Sequence, residues 1–167
     1  MSNNKKEIKQ YKLNKDNNTI GTPRNLIKWI EEHNDIQFDF DCCPENSIID
    51  NLRDDVEWGN YNFCNPPYGS RSSGIKQFIT RAIYEKETNN KTTFFLIPNN
   101  SSTNYYNTIL QNFDSIIFLK PLKFRGYEHN FPKPLLLVEF SGENEHKKLR
   151  MKEIDVLGKN CIKIYWK

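Results

Sequence analysis

Four consecutive residues, Asn65, Pro66, Pro67 and Tyr68, carry groups suited to one kind of chemistry. Adjacent prolines fix φ at both positions, so the neighbouring carbonyls and side chains are held with little freedom. The Asn65 side-chain oxygen and a proline carbonyl both accept hydrogen bonds, which would orient an exocyclic NH2 group and stabilise the positive charge it gains on alkylation. The Tyr68 ring offers a stacking surface. We therefore predict a catalytic site for a planar amine that reacts as a nucleophile.

The alternative is a rigid turn without a catalytic role, because a Pro-Pro pair followed by an aromatic residue occurs in many loops. The position of the tetrapeptide favours catalysis. It follows a strand-like segment, residues 61–64, and precedes a Gly- and Ser-rich stretch and a helix. A turn between a strand and a helix is the structural context in which many ligand-binding motifs lie.

The rest of the sequence predicts the strands and helices that must position this turn. Helical spacing of apolar residues predicts helices within residues 21–34, 73–90 and 102–113, with Thr22 as the first N-cap and Pro23 at the first helical position. Strand-like runs lie within residues 36–43, 61–64, 91–98, 115–124, 133–142 and 161–167. The alternation predicts an α/β fold with a largely parallel sheet, and the closely spaced final strands predict an antiparallel hairpin at one edge.

Three candidate sites directly follow predicted strands. Ligands of open α/β sheets bind outside the carboxyl ends of the strands. Asp41 ends the first strand, the tetrapeptide follows the second, and Asn99 and Asn100 follow the third. The sequence therefore predicts one composite site at this edge of the sheet.

Residues 120–133 form a candidate contact for nucleic acid. They interleave cations suited to phosphate contact with aromatic rings suited to base stacking, namely Lys120, Lys123, Phe124, Arg125, Tyr127, Phe131 and Lys133. Arg71, in the segment after the tetrapeptide, is a further candidate that would close over a substrate. The alternatives are an ordinary solvated hairpin loop and a disordered connector. A net charge of +3 permits a polyanionic partner without requiring one.

Five segments together resemble the phage-type DNA N6-adenine methyltransferases. They are "TPRNL" (22–26), "FDFDCC" (38–43), "VEWGNYNFCNPPYG" (56–69), "FFLIPNN" (94–100) and "LKFRGYEHNFPKPLLLVEF" (122–140), in that order. The resemblance covers most of residues 20–141. It implies a Rossmann-like fold that uses S-adenosylmethionine, with a mostly parallel sheet and helices on both faces.

The resemblance also implies roles for individual residues. Asn65, Pro66 and Tyr68 would hold the target amine. A donor-binding set would consist of Thr22, Pro23, Asp41, Cys42 and Asn65, with the N-terminus of the first helix facing the donor carboxylate. Asp54 or Asp55 would contact the donor adenine, or both are solvated loop acids.

The sequence departs from related patterns in two places. It contains no G-x-G segment, which many other methyltransferases use to bind the donor, although the phage-type family also tends to lack one. Pro44 follows Cys43 where a small residue such as Ala is usual. We expect Pro44 to alter the turn on the donor side of the site.

The leading hypothesis is an enzyme that methylates N6 of adenine in DNA without a metal ion. A duplex base would be flipped into the site, whereas a single strand would avoid that cost. The alternatives are another NH2 acceptor, namely RNA adenine, cytosine N4 or protein glutamine, or an inactive methyltransferase-like module that binds nucleic acid. Specificity would be low, or would come from loops 70–75 and 120–134, a homodimeric partner or a second subunit.

The chain's size and composition bound its organisation. Its 167 residues fit one domain at 21–167 after a mobile basic arm at 1–20. The four cysteines show no zinc-ligand spacing, so we predict buried thiols in a reducing compartment. No apolar run approaches the roughly 20 residues of a membrane span. We expect a cytoplasmic protein without membrane contact, acting in the host cell if a virus or phage encodes it.

Overall fold

The structure, a computed structural model, describes residues 21–44, 50–68, 74–141 and 148–167. The predicted arm at 1–20 and Arg71 lie outside these residues. The elements in chain order are α1 (Arg24–Asn34), β1 (Phe40–Asp41), β2 (Tyr61–Cys64), α2 (Gly74–Asn89), β3 (Thr92–Pro98), α3 (Asn104–Asn112), β4 (Ser115–Leu119), β5 (Leu135–Phe140), β6 (Leu149–Val156) and β7 (Lys159–Trp166). The three predicted helices are confirmed.

The strands form one seven-stranded sheet in the order β1-β2-β3-β5-β4-β7-β6. Only β1, β2 and β3 pair in parallel, and the other four pairings are antiparallel. The prediction of a largely parallel sheet is therefore wrong. Parallel neighbours need a crossover, usually a helix. The chain has one between β2 and β3, but β4 is joined to β5 by residues 120–134, which contain no helix, and β5 runs back between β3 and β4.

The antiparallel edge is a hairpin of β6 and β7, and β6 was not predicted as a strand. Its residues 149–153 are all exposed, so they lack the alternation of apolar and polar side chains that marks a half-buried strand. Leu157 and Gly158 connect the two strands with φ of 55° and 73°. Two successive positive φ values match the twist of a two-residue hairpin turn.

Helices cover both faces of the sheet, as predicted. On one face, Leu26, Ile27 and Ile30 of α1 pack in a core with Phe63 and Leu96 of the sheet. On the other face, α2 and α3 pack in a second core through the apolar side chains Ile75, Phe78, Ile79, Ala82 and Ile109. None of the described helices is long and apolar enough to cross a membrane.

The first helix begins one residue later than predicted. Pro23 is its N-cap, with φ −58° and ψ 127°, and the Pro23 carbonyl accepts the N–H groups of Leu26 and Ile27 at 3.0 and 3.3 Å. The prediction that Thr22 is the N-cap is therefore wrong. The residue before a proline favours extended backbone over helix, so the Thr22 side chain is available for another contact.

Candidate functional site

Three parallel strands end at one edge of the sheet, and the predicted site residues follow them. Asp41 ends β1, Asn65 follows β2, and Pro98 ends β3. Residues 120–134 begin and end at the same edge, because β4 ends there and the antiparallel strand β5 starts there. We call this the carboxyl edge.

Asn65 connects the tetrapeptide to the segment before α1. Its Nδ2 donates to Thr22 Oγ1 at 3.0 Å, across 43 positions of sequence. Its Oδ1 lies 2.5 Å from the Tyr68 hydroxyl. Pro66 is buried and Pro67 is exposed. The two amide atoms are thus engaged on opposite sides, which fixes the orientation of the side chain.

Tyr68 is more enclosed than a freely exposed stacking residue. Its hydroxyl lies 2.8 Å from the main-chain oxygen of Leu96 as well as 2.5 Å from Asn65 Oδ1. A hydroxyl has one proton, so it donates to one of these oxygens at a time. Burial raises the pKa of Tyr68, and the neighbouring ionisable group Cys64 raises it further, so the hydroxyl stays protonated.

The segment before α1 is tied to the loop after β4. Gly21 and Arg125 exchange two backbone hydrogen bonds, of 3.1 and 2.8 Å. The Arg125 Nε donates to the Thr22 carbonyl at 3.0 Å. Arg125, predicted to contact nucleic acid, therefore holds Thr22 beside Asn65.

Asp41 and the cysteines after it form a tight turn. Asp41 Oδ1 accepts the Cys43 N–H at 3.0 Å. The Cys42 carbonyl accepts from Asn51 Nδ2 at 3.0 Å, and Trp58 Nε1 donates to the Asn51 carbonyl at 2.9 Å. Pro44 follows this turn, which closes on Asp41 through the N–H of Cys43.

The thiols near the site are buried or half-buried. Cys42, Cys64 and Cys161 are buried, Cys43 is half-buried, and all four are free. The prediction of buried thiols is thus confirmed for three of them. Burial raises the pKa of Cys42 to about 11. The Cys42 side chain packs in the core beneath α2 and α3, so this residue shapes the edge through its backbone.

A cavity of about 690 Å³ opens beside Tyr68 at the carboxyl edge. Its aromatic and proline walls come from Tyr68, Tyr105, Phe131, Pro98 and Pro132. Polar groups also line it, from Asn100, Ser102, Thr103, Asn104 and Lys133. A mainly flat-walled cavity with a few polar groups suits a planar, polar ring.

Of the other predicted nucleic-acid contacts, Lys120, Lys123 and Lys133 are exposed and Tyr127 is half exposed. Their contact with nucleic acid stays a prediction. Phe124 is buried and serves packing, whereas Phe131 is half-buried and lines the cavity as well as packing on its neighbours. Phe131 lies edge-on to Phe124 and to Tyr68, with ring centroids 5.5 and 5.6 Å apart.

The two loop acids considered for the donor adenine both lie near arginines. Asp55 forms a two-point ion pair with Arg53, and Asp54 lies 4.0 Å from Arg81. Their role toward a donor stays a prediction. Among the described residues, no group of His, Cys, Asp and Glu side chains could hold a metal ion.

Some residues that shape the site were not predicted from the sequence. Asn51 is buried and supports the turn at Asp41, and its neighbour Trp58 is buried too. A polar residue in an irregular acidic segment gives no sequence signal of burial. The packing of Phe131 on Tyr68 was also missed, because aromatic residues in a basic loop suit base stacking equally well.

Comparisons with known proteins agree on one family. The family described as DNA N-6-adenine-methyltransferase (Dam) matches residues 9–126. A DNA N-6-adenine-methyltransferase of Haemophilus phage HP1 (strain HP1c1) is 28% identical over 113 residues, 62% of this chain and 63% of the phage protein. The alignment thus spans less than two thirds of either protein. No solved structure matches significantly. The family match covers well over half of the chain, which therefore belongs to the DNA N-6-adenine-methyltransferase family.

Proposed function

We propose that this chain transfers a methyl group from S-adenosylmethionine to N6 of adenine in DNA. The hydrogen bond between Asn65 and Thr22 carries the proposal, because it joins the Asn-Pro-Pro-Tyr turn to the segment assigned to the donor. The family membership supports the same reaction. Residues 21–167 are then a single methyltransferase domain with a Rossmann-like fold, in which β2, α2 and β3 form the βαβ unit.

The residues at the carboxyl edge fit the donor's chemistry. The Asp41 carboxylate is oriented by the Cys43 N–H, and a carboxylate at this edge suits a ribose hydroxyl or an ammonium group. Thr22 and Pro23 precede α1, whose N-terminal N–H groups suit a carboxylate. When bound, S-adenosylmethionine supplies an electrophilic methyl group on a positively charged sulfur.

Asn65 and Pro66 orient the acceptor amine. Thr22 fixes Asn65 Nδ2, so Oδ1 is presented on the other side of the amide. Asn65 Oδ1 and the Pro66 carbonyl accept the two N–H groups of the amine and leave its nitrogen lone pair directed at the methyl group. The same two oxygens would stabilise the positive charge on the amine as the C–N bond forms, while the methyl C–S bond breaks and the donor sulfonium leaves as a neutral thioether. The surplus proton then leaves to water.

Tyr68 controls access to the Asn65 oxygen. Its proton is shared between Asn65 Oδ1 and the Leu96 carbonyl in the absence of substrate. When the adenine amine arrives, Tyr68 donates to Leu96 and Asn65 Oδ1 accepts from the amine. The cavity bounded by Tyr68 and Phe131 receives the base, and Lys133 at its rim contacts a phosphate.

The reaction is tested by incubating total DNA with labelled donor and identifying methylated nucleosides by mass spectrometry. We expect N6-methyladenine with the wild-type chain. Asn65→Ala should lower the rate at least 100-fold, since it removes an acceptor that acts in the transition state. Donor affinity, measured by calorimetry, should change less than tenfold.

The matched control is Asn107→Ala, an exposed asparagine on α3 away from the cavity lining. Methylation of RNA, of cytosine or of protein in place of DNA adenine would overturn the substrate assignment. Full activity of Asn65→Ala would overturn the catalytic assignment, and failure to bind the donor would indicate an inactive nucleic-acid-binding module.

A further inference from the structure

The hairpin of β6 and β7 lies outside the part of the chain that the family match explains. That match ends at residue 126, and the hairpin spans residues 149–166. Residues 148–167 contain six lysines and arginines against two acids, an excess of four, whereas the whole chain carries +3. The hairpin thus carries a marked excess of positive charge and has no assigned role.

Three of these cations share one face of the hairpin. Lys152 lies directly opposite Lys163 in the strand register, and Arg150 lies opposite Tyr165. The two lysine nitrogens are 5.5 and 5.9 Å from the centre of the Tyr165 ring. We call Arg150, Lys152, Lys163 and Tyr165 the hairpin cluster.

The two acids of the hairpin do not neutralise this face. Side chains alternate along a strand, so Glu153 and Asp155 lie on the face opposite to that of Arg150 and Lys152. No salt bridge joins the three cations of the cluster to any residue in the described ranges.

One neighbouring element partly compensates this charge. Glu139 of β5 acts on Lys163 from the sheet, and it already accepts a hydrogen bond from Ser115 at 2.6 Å. Burial lowers the pKa of Lys163, and Glu139 and Lys152 shift it in opposite directions. Burial, followed by the charges of Lys163 and Lys152, lowers the pKa of His33 at the end of α1.

Such an arrangement is unfavourable without a bound anion. Like charges directly opposite each other on paired strands are destabilising. A local rule of this kind is most often broken at functional sites. An anion between Lys152 and Lys163 converts their repulsion into two attractions, and Tyr165 holds both lysines on the same side of the hairpin.

The cluster is connected to the methylation site by α1. This helix has 11 residues, Arg24–Asn34: it begins just after Thr22, which bonds Asn65, and it ends just after His33, whose pKa the charges of Lys163 and Lys152 lower. At about 1.5 Å per residue it spans about 16 Å. Successive phosphates of one strand of a duplex are spaced about 3.4 Å along the helix axis. A strand that follows α1 from the site thus reaches the cluster about five nucleotides away.

We propose that the hairpin cluster binds the phosphate backbone of the substrate DNA about five nucleotides from the target adenine. This rests on the proposed function for the location of the target base. The contact is with phosphates alone, so it adds affinity and salt sensitivity without sequence preference.

The test compares two double variants of the full chain that remove the same charge. Lys152→Gln with Lys163→Gln alters the cluster, and Arg53→Gln with Lys76→Gln alters two exposed cations in the loop before β2 and on α2, on the opposite face of the sheet from α1. Affinity for a mixed-sequence 30-base-pair duplex is measured by fluorescence anisotropy over a range of NaCl concentrations, without donor. Loss of two phosphate contacts should lower the slope of log K against log salt by about 1.8 and weaken binding roughly tenfold or more at 0.1 M salt.

A stem-loop duplex with fewer than five base pairs beside its single adenine serves as a second ligand. The two variants should bind it alike, since it does not reach the cluster. The inference is overturned if both variants bind the long duplex alike. It is also overturned if the cluster variant loses as much affinity for the short stem-loop as for the long duplex.

Failure of the proposed function would give a different experimental result from failure of the cluster proposal. Donor affinity reports on the donor site, which the cluster does not contact, so the cluster variant should bind the donor like wild type. A wild-type chain that binds DNA through the cluster and methylates no adenine would leave the cluster intact as a phosphate site while overturning the proposed reaction.

Discussion

At the residue scale, the site depends on two hydrogen bonds, one donated by Asn65 and one donated by Tyr68, that differ in the number of possible acceptors. Asn65 Nδ2 has a single acceptor in Thr22 Oγ1, whereas the Tyr68 proton has two, Asn65 Oδ1 and the Leu96 carbonyl. The first bond fixes the amide and the second is exchangeable. An amide whose Nδ2 is fixed while its Oδ1 can change partner suits a residue that must accept a hydrogen bond from an incoming amine.

Tyr68→Phe tests this exchange. Loss of the hydroxyl removes its hydrogen bond to the Leu96 carbonyl of β3, so the free energy of unfolding should fall by about 1 kcal/mol. The ring and its packing on Phe131 remain, and Asn65 Oδ1 loses a competing donor. Methyl-transfer rates under saturating substrates should therefore stay within tenfold of wild type.

Tyr68→Ala is the companion variant. It removes the cavity wall as well as the hydroxyl, and should lower kcat/KM for DNA far more than Tyr68→Phe does. If Tyr68→Phe were as inactive as Asn65→Ala, the hydroxyl would take part in the chemistry, and the exchange described above would be wrong.

At the element scale, β1 and β2 are aligned by contacts just before the site. Asp39 accepts the N–H groups of Asn60 and Tyr61 at 3.0 and 2.9 Å. Gly59 lies against the same carboxylate, where a Cβ would be 2.1 Å from Asp39 Oδ1. The start of β2, and through it the position of Asn65, depends on a residue without a side chain.

Gly59→Ala should therefore destabilise the protein by about 1–3 kcal/mol, the usual cost of overpacking. Denaturant unfolding measures it. Asp39→Ala removes the colliding carboxylate together with its two hydrogen bonds. In the double variant, the combined loss should be smaller than the sum of the two single losses. Additive losses would show that the collision is relieved in some other way.

The sequence predicted elements well where apolar residues are regularly spaced. The apolar run of β3 and the helical spacing of α2 placed both correctly. Strand β6 was missed because its residues 149–153 are exposed on both faces, so hydrophobic spacing carries no signal there. The predicted direction of strand pairing was also wrong. It depends on where β5 enters the sheet, and the loop before β5 contains no helix.

The candidate site was predictable from residues whose role follows from local chemistry. The carboxyl edge does gather Thr22, Asp41, Asn65 and Tyr68, as the order of strands and turns indicated. The position of Arg125 was not predictable, because its contact with Thr22 joins residues 103 positions apart. A guanidinium in a basic loop gives no sign of whether it faces DNA or the protein itself.

At the scale of the whole molecule, a buried ion network holds α2 to the loop before β2. Glu85 accepts from Arg81 and Asn89, both at 2.7 Å, and lies 3.4 Å from Lys91. Arg81 and Lys91 also donate to the carbonyls of Val56 and Trp58. The network therefore ties the layer beneath the sheet to the segment that leads into β2.

This network makes stability depend on pH. Burial opposes the charge on Glu85, but bonds from Asn89 and Arg81 and the charges of Lys91 and Arg81 lower its pKa below 4.5. A carboxylate with a lowered folded pKa contributes stability above its unfolded value, and that stability is lost as pH falls through the folded value. Unfolding free energy should thus decline below about pH 4.5.

Glu85→Gln isolates the contribution of this carboxylate. The variant should be less stable than wild type at pH 7, and the difference should shrink as pH falls below about 4.5. Glu87→Gln, on the exposed side of the same helix, should unfold like wild type at both pH values. A constant difference across the pH range would exclude charge as the origin of the stabilisation.

The place of β5 in the sheet has a consequence for synthesis of the protein. It lies between β3 and β4 but follows both in the chain. Once β3 and β4 have left the ribosome and until β5 follows them, two apolar strands are exposed without the strand that pairs with both. Open strand edges invite pairing with other chains. The nascent protein should therefore be most prone to aggregation in this window, and polypeptides released within it should aggregate more than those that extend past residue 140.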